Sequence, residues 1–449
     1  MTEECPRPSP DNIVEFLPYI CYTMQAPFGV QLKTRIVEEY VSVIDKAKKT
    51  KKDKSTIHAL QQDPEPGDTP ASDVQEGGVG LVAMTALYNA SGRLVELLVN
   101  RSPVPTMLIR VLTLCLPFQP HLYRLTVCNG VFETKTLAAI SQLLVQSQIT
   151  ELYLSDSPVP GHRFSQLLAY QTRLQCLSLD RCGLDDDDCI EIASMLTHPN
   201  PASQTLLVLS MGSNNIYNRG AVALAVMLRS NRKLRYLNLS GNQISNTGAA
   251  AIFGSLMEFP LSHADIVSKR LRVVQYIKLR KEVYAKCYND LIATASDSKS
   301  EARRKPTTRR KSVSTGASLS PDELAAKADV MTTHLIGPFN EPFTCEATFK
   351  KEGAVYSYGN LCLSYLNMSY NNLNHPSAVT LAEAIQAQQR IKALTATTEV
   401  GLVRVQLEGN PLPADTDELD TVQAMLDRAM LSGSKGRKSE KFLGRLSRR

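Results

Sequence analysis

The 449-residue chain contains no tryptophan, and aromatic residues make up only 6% of it. Hydrophobic residues still reach 43%, enough for a sizeable core, so that core must rest on aliphatic side chains. No uninterrupted apolar run approaches the roughly 18 residues of a membrane-spanning helix. The opening MTEECPRPSPDN lacks the basic and apolar regions of a secretory signal. Ten cysteines, Cys5, Cys21, Cys128, Cys182, Cys287 and Cys345 among them, form no C-x-x-C pair and show no even spacing. Reduced, mostly buried thiols in a soluble intracellular protein are therefore expected. Catalytic signatures are missing as well. The seven histidines are scattered, and H-E-x-x-H, G-x-x-x-x-G-K-[ST] and G-x-S-x-G are all absent, so hydrolase, nucleotide and zinc readings have no motif to rest on. No catalytic residue, cofactor or metal is expected, and the glycine-rich EGGVG at 76–80 reads as linker.

Charge is present and unevenly placed. The formal net charge is +6, yet residues 46–54 carry +5, residues 265–311 carry +9 and residues 435–449 carry +6, leaving −14 for the rest. An acidic body thus bears three basic segments, each open to three readings: solvated tail, docking arm for an acidic lattice, or nucleic-acid or membrane contact. The Lys/Arg runs have no interleaved stacking aromatics, which argues against sequence-specific nucleic-acid recognition.

The strongest pattern is a repeat. Residues 234–244 read LRYLNLSGNQI and residues 363–373 read LSYLNMSYNNL. Both fit L-x-x-L-x-L-x-x-N-x-L, the leucine-rich repeat. Further copies start at Leu94, Leu122, Ile149, Leu174, Leu206 and Leu402, and the first five intervals from Leu94 are 28, 27, 25, 32 and 28 residues. Intervals of that length predict an α/β solenoid, a horseshoe in which each parallel strand on the concave side is followed by a full helix on the convex side. Positions one, four and six face the core, and position nine satisfies backbone groups at the strand-to-helix turn. Asn214, Asn242, Asn371 and Asn410 occupy that place, with Cys182, Ser102 and Ser157 as smaller substitutes. The acids at 185–188 lack calcium-loop spacing and are expected at a helix N-terminus.

Outside the repeats the chain is mixed. Residues 1–80 are an N-terminal segment in which Ile36, Val37, Tyr40, Val41 and Ile44 predict an amphipathic helix, followed by a linker over 64–80. Six repeats fill 81–260, and two more with a capping helix through Leu419, Val422, Leu426 and Met430 fill 361–431. A basic tail, 432–449, follows. Between Leu234 and Leu363 lie 129 residues, far more than one repeat, so 261–360 is read as an excursion between neighbouring strands. Ser262 and Asp265 open a helix running to about residue 295, although LRVVQYIKL also alternates as a strand does. Disorder is expected over 296–318, a second helix from Ser320 and Pro321, and a fold-back of Phe339, Phe343, Phe349, Tyr356 and Tyr358 onto the array.

Positions three, five and seven of each strand point onto the concave face. They supply the candidate interaction residues Glu151, Tyr153, Asp180, Tyr236, Asn238, Tyr365, Asn367, Arg404 and Glu408, with Tyr236 beside Tyr365 and Asn238 beside Asn367. A protein partner on this face is the expected ligand. Ser312, after Arg309-Arg310-Lys311, is a candidate phosphorylation site.

The NxGAxALAxxL-type helices after Asn214 and Asn242 resemble the ribonuclease-inhibitor class of leucine-rich repeats, which includes Ran GTPase-activating protein, tropomodulin and dynein-regulatory-complex subunits. The charged helical insertion, the repeat GNLCLSYLNMSYNNL and the late repeat VGLVRVQLEGNPL are similar to the family of leucine-rich-repeat-containing protein 71, linked to cilia and flagella. That resemblance covers residues 85–430. It implies a non-enzymatic cytoplasmic scaffold of the axoneme or cytoskeleton, whose basic segments meet an acidic lattice such as the microtubule. An alternative is a small-GTPase regulator of the Ran GTPase-activating-protein type, although this C-terminus is basic where that family is acidic. An actin-end binder of the tropomodulin type lacks a recognised N-terminal motif here.

Overall fold

The computed structural model describes residues 7–37, 80–302, 320–395, 399–412 and 421–427, with backbone alone at 295–302. Two compact units emerge: Met1–Phe259 with Tyr358–Arg449, and Pro260–Ser357.

The first unit is built on a ten-stranded sheet ordered β1-β2-β3-β5-β7-β8-β9-β10-β14-β15. These strands are Phe28–Val37, Gly80–Asn89, Leu94–Asn100, Arg124–Cys128, Glu151–Ser155, Cys176–Ser178, Val208–Ser210, Tyr236–Asn238, Tyr365–Asn367 and Arg404–Gln406, while β4 (Pro103–Val104) pairs with β6 (Val131–Phe132). From β3 onward every pairing within the large sheet is parallel. Leucines at positions one, four and six, such as Leu234, Leu237 and Leu239, are fully buried. This is the aliphatic core that a tryptophan-free chain requires.

Two backbone ladders fix the repeat. Position eight is left-handed in all eight copies, with φ between 49° and 73° at Arg101, Asn129, Asp156, Arg181, Ser213, Gly241, Tyr370 and Gly409. In this turn the position-eight N–H donates to the position-seven carbonyl of the next copy, as Gly241 does to Ser369 at 2.9 Å and Tyr370 to Glu408 at 2.7 Å. Position nine carries the second ladder. The Asn371 side chain accepts from the Ile244 N–H at 3.0 Å and donates to the Leu239 carbonyl at 2.9 Å. Asn242 and Asn410 repeat the arrangement. Cys182 donates its thiol to the Leu154 carbonyl, and Ser157 accepts from the Gly130 N–H. The small substitutes thus do part of the amide's work.

A third ladder was not read in the sequence. Asn231 and Asn360, each three residues before a strand-opening leucine, accept from the next backbone N–H groups and donate to Leu196 and Leu228 carbonyls respectively. Gln388 serves the last repeat, donating to the Asn360 carbonyl and accepting from the Leu402 N–H.

The convex side carries α2 (Thr106–Cys115), α3 (Thr136–Gln146), α4 (Asp186–Leu196), α5 (Ala202–Thr205), α6 (Asn218–Ser230), α7 (Asn246–Gly254) and α10 (His375–Leu394). The 25-residue repeat departs from the expected full helix. It holds only a 3-10 turn, Phe164–Leu168, because fewer residues remain after the strand and its turn. Asp185 caps α4 in a capping box with Asp188, and Asp186 accepts from the Tyr217 and Gly220 N–H groups at the start of α6. The acidic run therefore serves two helix N-termini. At the end of the array, Val422 and Leu426 of the helical stretch 421–427 join the core; Leu419 and Met430 lie outside the described residues.

The N-terminal end corrects the sequence reading in two ways. Ile36 and Val37 close strand β1 rather than open a helix, and Tyr40, Val41 and Ile44 lie outside the described residues. The described helix here is α1, Ile13–Thr23. Moreover, β2 runs antiparallel to β3, so the sheet is not parallel throughout. Asn89 makes the reversal by accepting from the Ser91 and Arg93 N–H groups, with Gly92 at φ 70°.

The second unit pairs α8 (His263–Ala302) with α9 (Pro321–Ile336). Ser262 with Asp265 and Ser320 with Glu323 cap them as their spacing predicts. LRVVQYIKL is helical, and the helix extends into the segment expected to be disordered; 303–319 lie outside the described residues. Arg272 makes a bidentate ion pair with nearly buried Glu341, both contacts at 2.8 Å. The Tyr276 and Phe339 rings meet at a tilt, centroids 4.7 Å apart. Strands β12 (Thr348–Lys351) and β13 (Ala354–Ser357) form a hairpin turned by Glu352 and Gly353, both at positive φ, as a type I′ turn requires. Phe349 lies on Tyr356 at 5.7 Å. Of the aromatics expected to fold back on the array, Phe339, Phe349 and Tyr356 thus find ring partners inside the second unit, and Tyr358 belongs to the first.

Candidate functional site

The parallel register places position three of each strand in one row: Glu96, Arg124, Glu151, Cys176, Val208, Tyr236, Tyr365 and Arg404. Sequence reasoning read this row from Glu151 onward and missed Glu96 and Arg124. Counting two residues on from Leu94 and Leu122 would have found them.

The N-terminal part of the row is locked. Arg124 donates to Glu151 at 2.8 Å through Nε and lies 2.6 Å away through a second nitrogen, with Glu96 at 3.8 Å and the Tyr153 ring at 5.0 Å. Thr126 donates to Glu96, and Tyr153 donates to Glu151. Glu151 is fully buried, so it holds the face from within and cannot itself meet a partner. Burial, then Cys176 and Glu151, push the Tyr153 phenol far above its ordinary value. Burial likewise raises the Cys176 thiol to about 12.

Higher on the face the polar residues bind one another. Asp180 accepts from Ser178, Ser210 and the Gly212 N–H. Asn238 donates to Ser210 and accepts from the Ser240 N–H, while Asn367 accepts from the Ser369 N–H. Both asparagines are buried and act chiefly in the sheet. Glu408 is exposed and accepts from Ser369.

The C-terminal part of the row is different. Tyr236 is in register with Tyr365, and Asn238 with Asn367, across 129 intervening residues. The two tyrosine rings lie 6.0 Å apart, and Tyr236 packs against buried Cys176 and Val208. Both rings are half-buried, and among the described residues neither hydroxyl makes a hydrogen bond. Burial, then Asp180, raise the Tyr236 phenol well above its ordinary value. Arg404, in register with Tyr365, forms no ion pair among the described residues. The row therefore offers two aromatic surfaces, two uncommitted hydroxyls and an uncommitted guanidinium. Ser312 lies outside the described residues.

Among the described residues no group of three or more His, Cys, Asp and Glu side chains is placed to hold a metal. No described helix is long and apolar enough to cross a membrane.

The leucine-rich repeat family model matches residues 202–225 and 230–253. The ribonuclease inhibitor of Sus scrofa is 35% identical over 92 residues, which is 20% of this chain and 20% of that protein. The chain thus aligns with about a fifth of the length of that curated relative. The matched repeats, the eight-copy turn and the alternating strands and helices make this chain a leucine-rich repeat protein with distant similarity to ribonuclease inhibitor.

Proposed function

We propose that the chain is a non-enzymatic scaffold that holds a protein partner on its concave face, with Tyr236, Tyr365 and Arg404 as the anchor. The observation that carries this reading is the side-by-side pair of half-buried tyrosines with uncommitted hydroxyls next to an uncommitted arginine. Tyrosine and arginine dominate binding energies at protein interfaces, because they bring large contact area and directed donors with little rotamer loss. The surrounding Tyr153, Asp180, Asn238, Asn367 and Glu408 form the wall and rim that keep water out. Quantitative affinity purification with the wild-type chain and a Tyr236→Ala/Tyr365→Ala variant tests it. Partners should fall by at least about tenfold at unchanged circular dichroism; equal recovery overturns the reading.

The compartment proposed is the cytoskeleton of cilia and flagella, and it rests on the sequence resemblance. In that setting the basic segments dock on an acidic lattice such as the microtubule, through counter-charge rather than a shaped pocket. Co-sedimentation with microtubules, comparing the full chain with one lacking 296–318 and 433–449, should show loss of binding in the shortened form. A GTP-hydrolysis assay separates this scaffold from a GTPase regulator, since a scaffold leaves the rate unchanged.

A further inference from the structure

In α8 the charged residues divide between two faces. At about 100° per residue, Arg272, Tyr276 and Arg280 fall on one side of the helix, and their partners come from the second unit itself. Arg272 meets Glu341, Arg280 meets Asp329 at 2.8 Å, and the Tyr276 hydroxyl donates to the Gly337 carbonyl. The opposite side carries Val267, Leu271, Val274, Lys278 and Lys281, all within an arc of about 80°. Here Val267 is 37%, Leu271 57% and Val274 48% exposed, and the flanking Ile277 is 58% exposed. Among the described residues, Lys278, Lys281 and the flanking Arg270 form no ion pair.

We propose that this outer stripe of α8 is a second docking surface, and that its occupant is an acidic amphipathic helix of a partner protein. The spacing from 267 through 271, 274 and 278 to 281 alternates four and three residues, which keeps one seam facing a partner helix. At roughly 1.5 Å per residue the seam is about 21 Å long, or four turns. Its first half offers apolar knobs and its second half two lysines whose counter-charges the unit does not supply. A helix with leucines opposite Val267, Leu271 and Val274 and carboxylates opposite Lys278 and Lys281 satisfies both halves. A partner without acids would leave the lysines facing apolar surface or water at the seam. Of the unit's acids, Asp329 and Glu341 are committed to the other side and Asp265 and Glu323 to helix caps, while exposed Glu282, one turn beyond Lys278, forms no ion pair among the described residues. The stripe shares no residue with the concave face.

The test uses the full chain and a fluorescein-labelled synthetic helical peptide with leucine at the seam positions of one half and glutamate at those of the other, read by anisotropy. A twin peptide carries lysine for each glutamate. Wild type should bind the glutamate peptide at least about tenfold tighter than its twin, and Lys278→Glu/Lys281→Glu should invert that preference, because like charges facing each other are strongly disfavoured. Leu271→Glu/Val274→Glu should abolish binding to both peptides at unchanged circular dichroism. Binding that does not distinguish the peptides, or no binding, overturns the proposal. So does capture by vesicles of 70:30 phosphatidylcholine and phosphatidylserine without peptide binding, which would make the stripe a membrane contact. A stoichiometric dimer in sedimentation equilibrium that Leu271→Glu/Val274→Glu disperses would assign the stripe to a second copy instead, and would equally refute it.

Discussion

Replacing Asn371 by alanine strikes the point where the array closes over its interruption. The side chain is buried and makes four contacts: it accepts from Ile244 N–H at 3.0 Å and donates to the carbonyls of Leu239 at 2.9 Å, Met368 at 3.2 Å and Ser369 at 3.2 Å. Two of these, to Ile244 and Leu239, link residues 127 and 132 positions apart. Alanine strands the Ile244 N–H, at a cost of about 1–3 kcal/mol for a buried polar group, whereas the Leu239 carbonyl keeps its bond from the Asn242 amide at 3.0 Å. The expected loss is about 2–3 kcal/mol, a sizeable share of the roughly 5–15 kcal/mol that holds a domain together. Because solenoid repeats are coupled to their neighbours, the damage should concentrate at this interface. Hydrogen exchange should show strands β14 and β15 losing protection first, with β7 to β9 retaining theirs. Asn372→Ala, at an exposed neighbour whose amide reaches only Gln243, is the control and should change stability by less than about 0.5 kcal/mol. Uniform loss of protection across the sheet, or a variant as stable as the control, would refute the reasoning.

Three other outcomes are expected. Gly359 sits at φ 80°, and an added Cβ would lie 2.4 Å from the Met257 carbonyl oxygen; Gly359→Ala should cost at least about 2 kcal/mol in urea denaturation. Arg272→Met strands Glu341, whose side chain is only 2% exposed. A loss of about 3 kcal/mol, seen as faster exchange in α8 and α9, should be partly recovered by adding Glu341→Gln. Burial raises Cys21 to about 11 and Cys182 to about 12 from an ordinary 9.0. Each thiol must stay protonated in the fold, so its contribution is complete below pH 9 and is lost as pH rises towards 11–12; stability should decline over that window, and among the described cysteines exposed Cys345 should be alkylated first at pH 8.

The repeat frame was legible because its requirements recur. Aliphatic residues at one, four and six meet the same backbone geometry in eight copies and asparagine at nine meets it in four, so the pairing of Tyr236 with Tyr365 followed from counting alone. The N-terminal strands were hidden for the opposite reason: Val30, Leu32, Thr34 and Ile36 alternate as a strand does, but Ile36, Val37 and Tyr40 also fit a helix, and only pairing with β2 settles which wins. Position in the repeat gave the face on which Glu151 lies and not its depth. Its ion-pair partner, Arg124, comes from the preceding repeat, a contact that no local pattern encodes. Asp186 is similar, since its ligands are the N–H groups of a helix 31 and 34 residues away.

The central claim, that the junction row of the concave face meets a protein partner, is tested most directly by site-specific photo-crosslinking. A benzoylphenylalanine placed at Tyr236 should capture a discrete partner, and the same group at Val222, exposed on convex helix α6, should not. Capture from position 222 with none from position 236 would contradict it.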